Sequence, residues 1–397
     1  MNEATLHFIR MHENDDVHSL MLLASKYPEV NIQAAIRQIT GKQKVKHKIP
    51  SFYKYNELLY PVKLSLEQSS SEITAKHKSA SCEGKVLIDL TGGFGVDSYF
   101  FSFHVDNIMY VEKDEELCAL AKHNFRALNR KNIEVVNDSA ENISEKMDDA
   151  DWIYLDPARR TKSGNKAVLF SDCEPNVKEL APKLLSKSNR VMIKLSPMID
   201  LTSLTSELPH IAELQIVAVE NECKEVLVIL NKSISDDLKI KTTNYPSSGK
   251  SENFDFLITD EKKASVQFSL HLKNYLYEPN AAVMKSGAFR LISERFGIDK
   301  LHTNSHLYTS DTLIEHFPGR IFKVVKVYDF SKNSLKEFHS DIKKANLTIR
   351  NFPVSVSELR KKLKLTEGGD VYIFATTLHD EKKVLVKCEK CPLTHPE

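Results

Sequence analysis

The sequence predicts an α/β protein built on a parallel five-stranded sheet that an antiparallel pair closes, with a helical leader before it and an α+β region after it. Three observations carry this. From Lys85 to Leu195, short β-rich runs alternate with helical segments, the pattern of strands joined by crossover helices. The next two runs are separated only by Asn221 to Lys224; a parallel crossover needs about a dozen residues or more, so they pair antiparallel. The chain has 397 residues, 41% of them hydrophobic, enough for one sizeable core and one or two smaller units.

In chain order, the leader shows apolar residues at helical spacing, Val17, Leu20, Met21 and Ala24, then Ile32, Ala35, Ile36 and Ile39, punctuated by Pro28 and Gly41. A lysine-dense stretch, Lys42 to Lys54, reads as a polar surface loop able to meet phosphate. The five runs are VLIDL (86–90), IMYVE (108–112), IEVVN (133–137), WIYLD (152–156) and RVMIKL (190–195), and the closing pair is ELQIVAVE (213–220) and EVLVIL (225–230). From Asn231 to Asn253 the chain is polar and reads as a connection leaving the core. A helix at 279–296, a strand at 320–330, helices at 332–345 and 355–365 and two last strands, DVYIFATTL and KKVLVKC, complete the chain.

Charge and cysteine content narrow the function classes. Lys and Arg number 55 against 54 Asp and Glu, a net charge of +1, so a nucleic-acid partner must be met by a local basic surface. Met1 to Asp16 lacks the basic and apolar runs of a signal peptide, and no stretch approaches the roughly 18 apolar residues of a membrane span. A cytoplasmic, reduced protein without a membrane partner is expected. Cys388 and Cys391 form a CxxC pair, but tetrahedral zinc needs two more ligands, so no metal is expected.

The chemistry concentrates at the carboxyl ends of the runs. Asp89-Leu-Thr91-Gly-Gly93-Phe-Gly95-Val-Asp97 ends the first run and opens a helix, where glycine allows a tight turn and close approach of a ligand. Glu112 ends the second run, where an acid accepts from both ribose hydroxyls of a nucleoside-containing cofactor. Asp138 follows the third and is placed to accept from an adenine amino group. The antiparallel closing pair separates the Rossmann-like fold of S-adenosylmethionine (SAM) methyltransferases from ordinary dinucleotide folds, so the expected cofactor is SAM. Upstream, Ser69 with Glu72 three residues on has capping-box spacing. The helix start it marks, with Ser70, Glu72 and Thr74, is a candidate site for the methionine carboxylate.

Asp156-Pro157-Ala158-Arg159-Arg160 follows the fourth run and resembles the Asp/Asn-Pro-Pro-aromatic tetrapeptide of amino-methylating enzymes. There an acidic or amide oxygen and a backbone carbonyl accept the two protons of a target amine and orient its lone pair. Asp156 and Pro157 match; Ala158 replaces the second proline and Arg159 the aromatic, which puts a purine amine target in doubt while leaving guanidinium contacts to base or phosphate. Arg159 also resembles the end of this motif in uracil carbon-5 methyltransferases. Those enzymes need a cysteine after the fifth run; here that stretch is Lys194-Leu-Ser-Pro, and an unactivated serine is too weak a nucleophile.

Taken together, QSSSEITAKHK, DLTGGFGVDS, DPARR, NECKEVLVIL and YEPNAAVMKSGAF resemble a bacterial family of class I SAM methyltransferases with a carboxyl-terminal THUMP-like domain. The resemblance implies a helical domain at 1–65, a SAM-binding core at 66–232, a connection at 233–274, a ferredoxin-like piece at 275–322 and a THUMP-like piece at 323–397. THUMP modules are associated with RNA, so it implies an RNA partner. Asn280 departs from the acidic residue expected after Glu-Pro. Arg360, Lys361, Lys362 and Lys364 cluster late in the chain, and with Arg159, Arg160 and Lys194 they are the candidate RNA contacts. The expected activity is methyl transfer from SAM to a nucleotide of structured RNA; a protein or small-molecule acceptor, or a non-catalytic RNA-binding role, stays open, as does the oligomeric state.

Overall fold

The five runs between Lys85 and Leu195 are strands β1 (Gly84–Asp89), β2 (Val105–Glu112), β3 (Ile133–Asn137), β4 (Trp152–Leu155) and β5 (Arg190–Leu195). The computed structural model describes residues 1–159, 173–233, 237–247 and 249–391. Strands β6 (Ile211–Val219) and β7 (Glu222–Asn231) follow, joined by Glu220 and Asn221, whose positive φ values of 52° and 61° fit a type I′ hairpin turn. The chain divides into two compact units, Met1–Ala212 with Val226–Ser235, and Glu213–Glu225 with Asp236–Glu397.

In the first unit the sheet order is β7-β5-β4-β1-β2-β3. All pairs are parallel except β5 with β7. The register places Asp89 beside Tyr110 and Tyr154, and Glu112 beside Asn137, so the strands end together where the candidate acids sit. The leader belongs to this unit and packs on the glycine turn. Phe52 sits edge-on to Phe94 and Tyr99, at centroid distances of 5.7 and 5.0 Å. Burying such a ring contributes roughly 1.5–3 kcal/mol.

Two expectations for the leader are corrected. The Lys42 to Lys54 stretch is not a loop: helix Ile32–Lys48 runs through it and the short helix Pro50–Tyr53 follows. Gly41 does not end the helix but lies within it, because Tyr60 packs there; a Cβ at Gly41 would lie 2.3 Å from that of Tyr60. Capping is corrected too. Helix Glu72–Ser79 is capped by Ser71, which accepts from the Thr74 N–H, while Ser69 ends the preceding helix Lys63–Gln68.

In the second unit, the segment expected to be a connection contains strand β8 (Lys239–Tyr245), paired parallel with β6 from Lys239↔Glu213 to Tyr245↔Val219. Two-residue strands at Glu252–Asn253 and Phe256–Leu257 pair with β8, so among the described residues the sheet has ten strands where seven were expected. A second sheet contains β9 (Tyr275–Pro279), β10 (Tyr308–Ser310), β11 (Gly319–Asp329), β12 (Asn346–Arg350), β13 (Val371–Thr377) and β14 (Lys383–Lys390). Their order is β10-β9-β11-β14-β13-β12. The expected helix at 279–296 is two, Ala281–Ser286 and Leu291–Phe296, broken at Gly287, whose φ of 79° favours glycine.

Asn280, the departure after Glu-Pro, has a job that suits an amide. Its Oδ1 accepts from the N–H groups of Ala282 and Val283, each at 3.1 Å, and its Nδ2 donates to Glu252 at 2.8 Å. A carboxylate would cap the helix but repel Glu252. Beside it, Glu278 is buried and takes Arg320 and, at 2.7 Å, Arg350. Gly319 pairs with Pro279, and a Cβ there would lie 2.2 Å from the Glu278 carbonyl oxygen. Gly319→Ala should therefore lower the urea midpoint of unfolding, costing about 1–3 kcal/mol of stability; a midpoint equal to that of the parent would contradict this packing.

Candidate active site

The glycine turn is shaped by what surrounds it. The N–H of Gly92 donates to the Val111 carbonyl at 2.8 Å, the N–H of Gly93 to Glu112 Oε2 at 2.9 Å, and Tyr110 Oη to the Gly93 carbonyl at 2.6 Å. Gly92 has no room for a side chain, since a Cβ would meet the Tyr110 ring at 2.1 Å. At Gly95 the φ of 82° and the Phe125 ring 2.7 Å from a Cβ both require glycine. Gly93 differs: a Cβ there would meet only the Thr91 carbonyl within 4 Å, at 3.9 Å.

Thr91 and Asp89 fix the turn to the neighbouring strand. Asp89 is buried, accepts from the Thr91 N–H at 3.1 Å and from Ser98 Oγ at 2.5 Å. Burial raises its carboxyl to about 7, although both hydrogen bonds favour ionisation. Thr91 Oγ1 accepts the backbone N–H of Asp156 at 2.5 Å, which joins the glycine turn to the turn after β4.

Asp156 pairs with Lys194, Oδ2 to Nζ at 2.5 Å, and the lysine is the more buried of the two. Pro157 is buried and Ala158 exposed. Ala158 and Arg159 form a two-residue strand paired with Cys173 and Glu174. Arg160 lies outside the described residues. Behind this turn, Asp97 accepts from Ser70 Oγ at 2.8 Å and Tyr154 Oη at 2.9 Å, with the fully buried Lys78 ammonium 3.3 Å from Oδ1. Burial raises the Asp97 carboxyl, but Lys78, Lys194 and the two hydroxyls outweigh it, and it stays below the ordinary range.

The remaining expected residues are placed as follows. Glu112 accepts from the N–H of Gly93 with Oε2 and from that of Asp114 with Oε1, and is partly exposed. Asp138 receives Lys146 at 2.6 Å, Asn142 at 2.9 Å and the Ser139 N–H at 2.8 Å, which hold its carboxyl near about 2, Lys146 foremost. Glu72 receives Lys76 and the Ser51 N–H, so it ties the leader to this helix; Thr74 is buried. Arg360, Lys361 and Lys362 lie on helix Val356–Leu363 of the second unit, with Arg360 3.5 Å from Glu367 and Lys362 over the Phe330 ring. Among the described residues no group of His, Cys, Asp and Glu side chains is placed to hold a metal ion.

Two lysines escape a sequence reading. Lys78 reads as one of several charges in AKHK, and Lys48 as part of a basic loop. Lys48 donates to the carbonyls of Leu66 and Glu67 at 2.8 and 2.7 Å, and burial, with Lys194 and Lys44 nearby, brings it down to about 8. The signal that could have found them is their place in motifs already singled out, but no spacing rule marks a lysine as buried.

The donors and acceptors suit a SAM-like molecule. Glu112 keeps further lone pairs on both oxygens beside the Gly93 backbone, and Asp156 offers Oδ1 at the same sheet edge. A ferredoxin-like domain family matches residues 275–318 and a THUMP domain-like family matches residues 319–390. The chain is 32% identical to a protein of Porphyromonas gingivalis W83 named, provisionally, as a methyltransferase, whose crystal structure aligns over 98% of each chain at a TM-score of 0.89. An rRNA methylase of Streptococcus thermophilus is 15% identical over 42% of this chain and 99% of its own, at a TM-score of 0.31. No protein of curated function matches the sequence.

The raised Asp89 carboxyl gives a pH test. The folded protein binds this proton between about pH 4 and 7 when the unfolded chain has lost it, so the contribution is full below pH ~4 and gone above pH ~7. Stability of the parent should fall from pH 5 to 8 relative to Asp89→Asn, which keeps the shape without the titration. Parallel urea-midpoint profiles for the two proteins would contradict the assignment.

Proposed function

The chain belongs to the bacterial family of class I SAM-dependent methyltransferases that end in a THUMP-like domain, and on that premise we propose that it methylates a nucleotide of structured RNA. The observation that carries the reading is the join between the glycine turn and the Asp156 turn through Thr91, with Lys194 holding the Asp156 carboxylate. It brings the two turns to one sheet edge, which supports a cofactor and an acceptor held side by side.

Glu112 is the residue that would hold the ribose hydroxyls, since its two oxygens are oriented by backbone N–H groups and retain lone pairs. Asp138 stands after β3 on the adenine side, fixed by Lys146. Asp97, with Ser70 and Lys78, supports the turn from behind. When bound, SAM supplies a methyl group already activated on a sulfonium. The protein's part is then positioning and electrostatics. Asp156 Oδ1 and the Pro157 carbonyl accept hydrogen bonds from the two N–H groups of an acceptor amine and so would orient its lone pair. Lys194 holds Asp156 in one orientation through their ion pair. The RNA half of the reading is supported by the THUMP-like match and by exposed Lys361 and Lys362 on its helix.

Labelled SAM incubated with total RNA from cells lacking the gene should place label in RNA. Label in protein or a metabolite, with none in RNA, would overturn the RNA half. Asp156→Ala should cut the turnover rate roughly 100-fold, the scale of losing acceptor positioning; full turnover would overturn its role.

A further inference from the structure

The helical leader holds a cavity that the proposed reaction does not use. Its volume is about 380 Å³, in the range of small-ligand sites. One wall is the acidic loop Glu13 to Asp16, the other the basic face of helix Ile32–Lys48 with Lys42, Lys46 and His47, and Tyr53 borders both. The walls are tied together. Lys42 bonds Glu13 at 2.6 Å and Asn56 at 2.8 Å, and the Gln43 amide donates to the carbonyls of Glu13 and Asp15 at 3.1 and 2.9 Å. A preformed site needs little ordering to bind.

The polar atoms left over define the ligand. His12 occupies Asp15 Oδ2 and Ser19 occupies Asp16 Oδ2, and no hydrogen bond among the described residues takes either Oδ1. Lys46 and His47 are exposed, and no acid pairs with them among the described residues. The Tyr53 ring has the ammoniums of Lys42 and Lys46 at 5.8 and 5.7 Å from its centroid, the outer limit of cation–π attraction. Carboxylate acceptors on one side, the Lys46 ammonium and the His47 imidazole on the other and an aromatic ring beside them match a flat base with an exocyclic amine, joined to a phosphate.

We propose that this cavity docks one unpaired nucleotide of the acceptor RNA whose base carries an exocyclic amine, its base stacked on Tyr53, its amine on Asp15 and Asp16, and its phosphate on Lys46 and His47. The inference rests on the RNA reading above. Uracil has no exocyclic amine, and its one ring N–H donor is flanked by two carbonyl oxygens that carboxylates repel. The acids nearly balance the cations here, so the contact adds stacking and selectivity more than charge.

Fluorescence anisotropy of the full chain with A-only and U-only RNA 12-mers tests this. The A oligomer should bind more tightly. Tyr53→Ala should weaken it roughly 5- to 150-fold, the scale of one stacked base, with the salt slope unchanged, and Tyr53→Phe should restore it. Lys46→Ala, a surface change that keeps the fold, should lower the salt slope by about 1. SAM affinity should be unchanged throughout. Parent-like binding by both Tyr53→Ala and Lys46→Ala, or equal affinity for the U oligomer, would overturn the proposal. A parent that labels RNA while these variants bind normally would end this inference alone; a parent that binds no RNA would end it together with the RNA reading.

Discussion

The candidate site depends on one buried charge pair. Lys78 is fully buried, and its counter-ion Asp97 also gathers the hydroxyls of Ser70 and Tyr154. These four residues come from the helix after the leader, the segment before it, the helix after the glycine turn and strand β4. A buried ion pair adds little net stability over apolar packing, but removing one partner leaves a charge in a low-dielectric interior, a loss of roughly 3–5 kcal/mol. The pair therefore fixes which arrangement of these elements is allowed. Ser70 on one side and Tyr154, two residues before Asp156, on the other are held to the same carboxylate.

From that anchor the charges alternate toward the surface. Asp97 is followed by Lys194, Lys194 by Asp156, and Lys48 stands near Lys194 and is brought down to about 8 largely by burial. Asp89, which no cation pairs with among the described residues, is raised by burial to about 7. Fixed dipoles and charges of this kind need no rearrangement when a ligand's charge develops, which is why preorganisation is effective in transfer reactions. The leader takes part through Lys48, through Ser51 on Glu72 and through Phe52 on the glycine turn.

Much of this was legible in the sequence because it follows from period and spacing. Strands β3 and β5 have the bounds the apolar runs predict, and the short spacer between β6 and β7 dictates a hairpin. Strand β8 was hidden because its inward residues, Ile240, Thr242 and Asn244, are mostly polar; Thr242 is satisfied by the Phe254 carbonyl and Asn244 by Glu252. Gly41 misled because a helix glycine reads as a stop unless one knows that Tyr60 needs its space. The acids Asp89, Glu112, Asp138 and Asp156 could be read from their strand-end positions. The lysines could not, because Lys78 meets Asp97, Lys146 meets Asp138 and Lys194 meets Asp156 by side-chain length and folding rather than by sequence spacing.

The central claim is that Glu112 and the glycine turn form a SAM site in the first unit. Calorimetric titration of SAM into the full chain and into Glu112→Gln tests it most directly. The account predicts one molecule bound per parent chain and a roughly 10- to 100-fold weaker affinity for the variant, the scale of hydrogen bonds to a charged group. Absence of heat with the parent chain, or equal affinity in the variant, would contradict it.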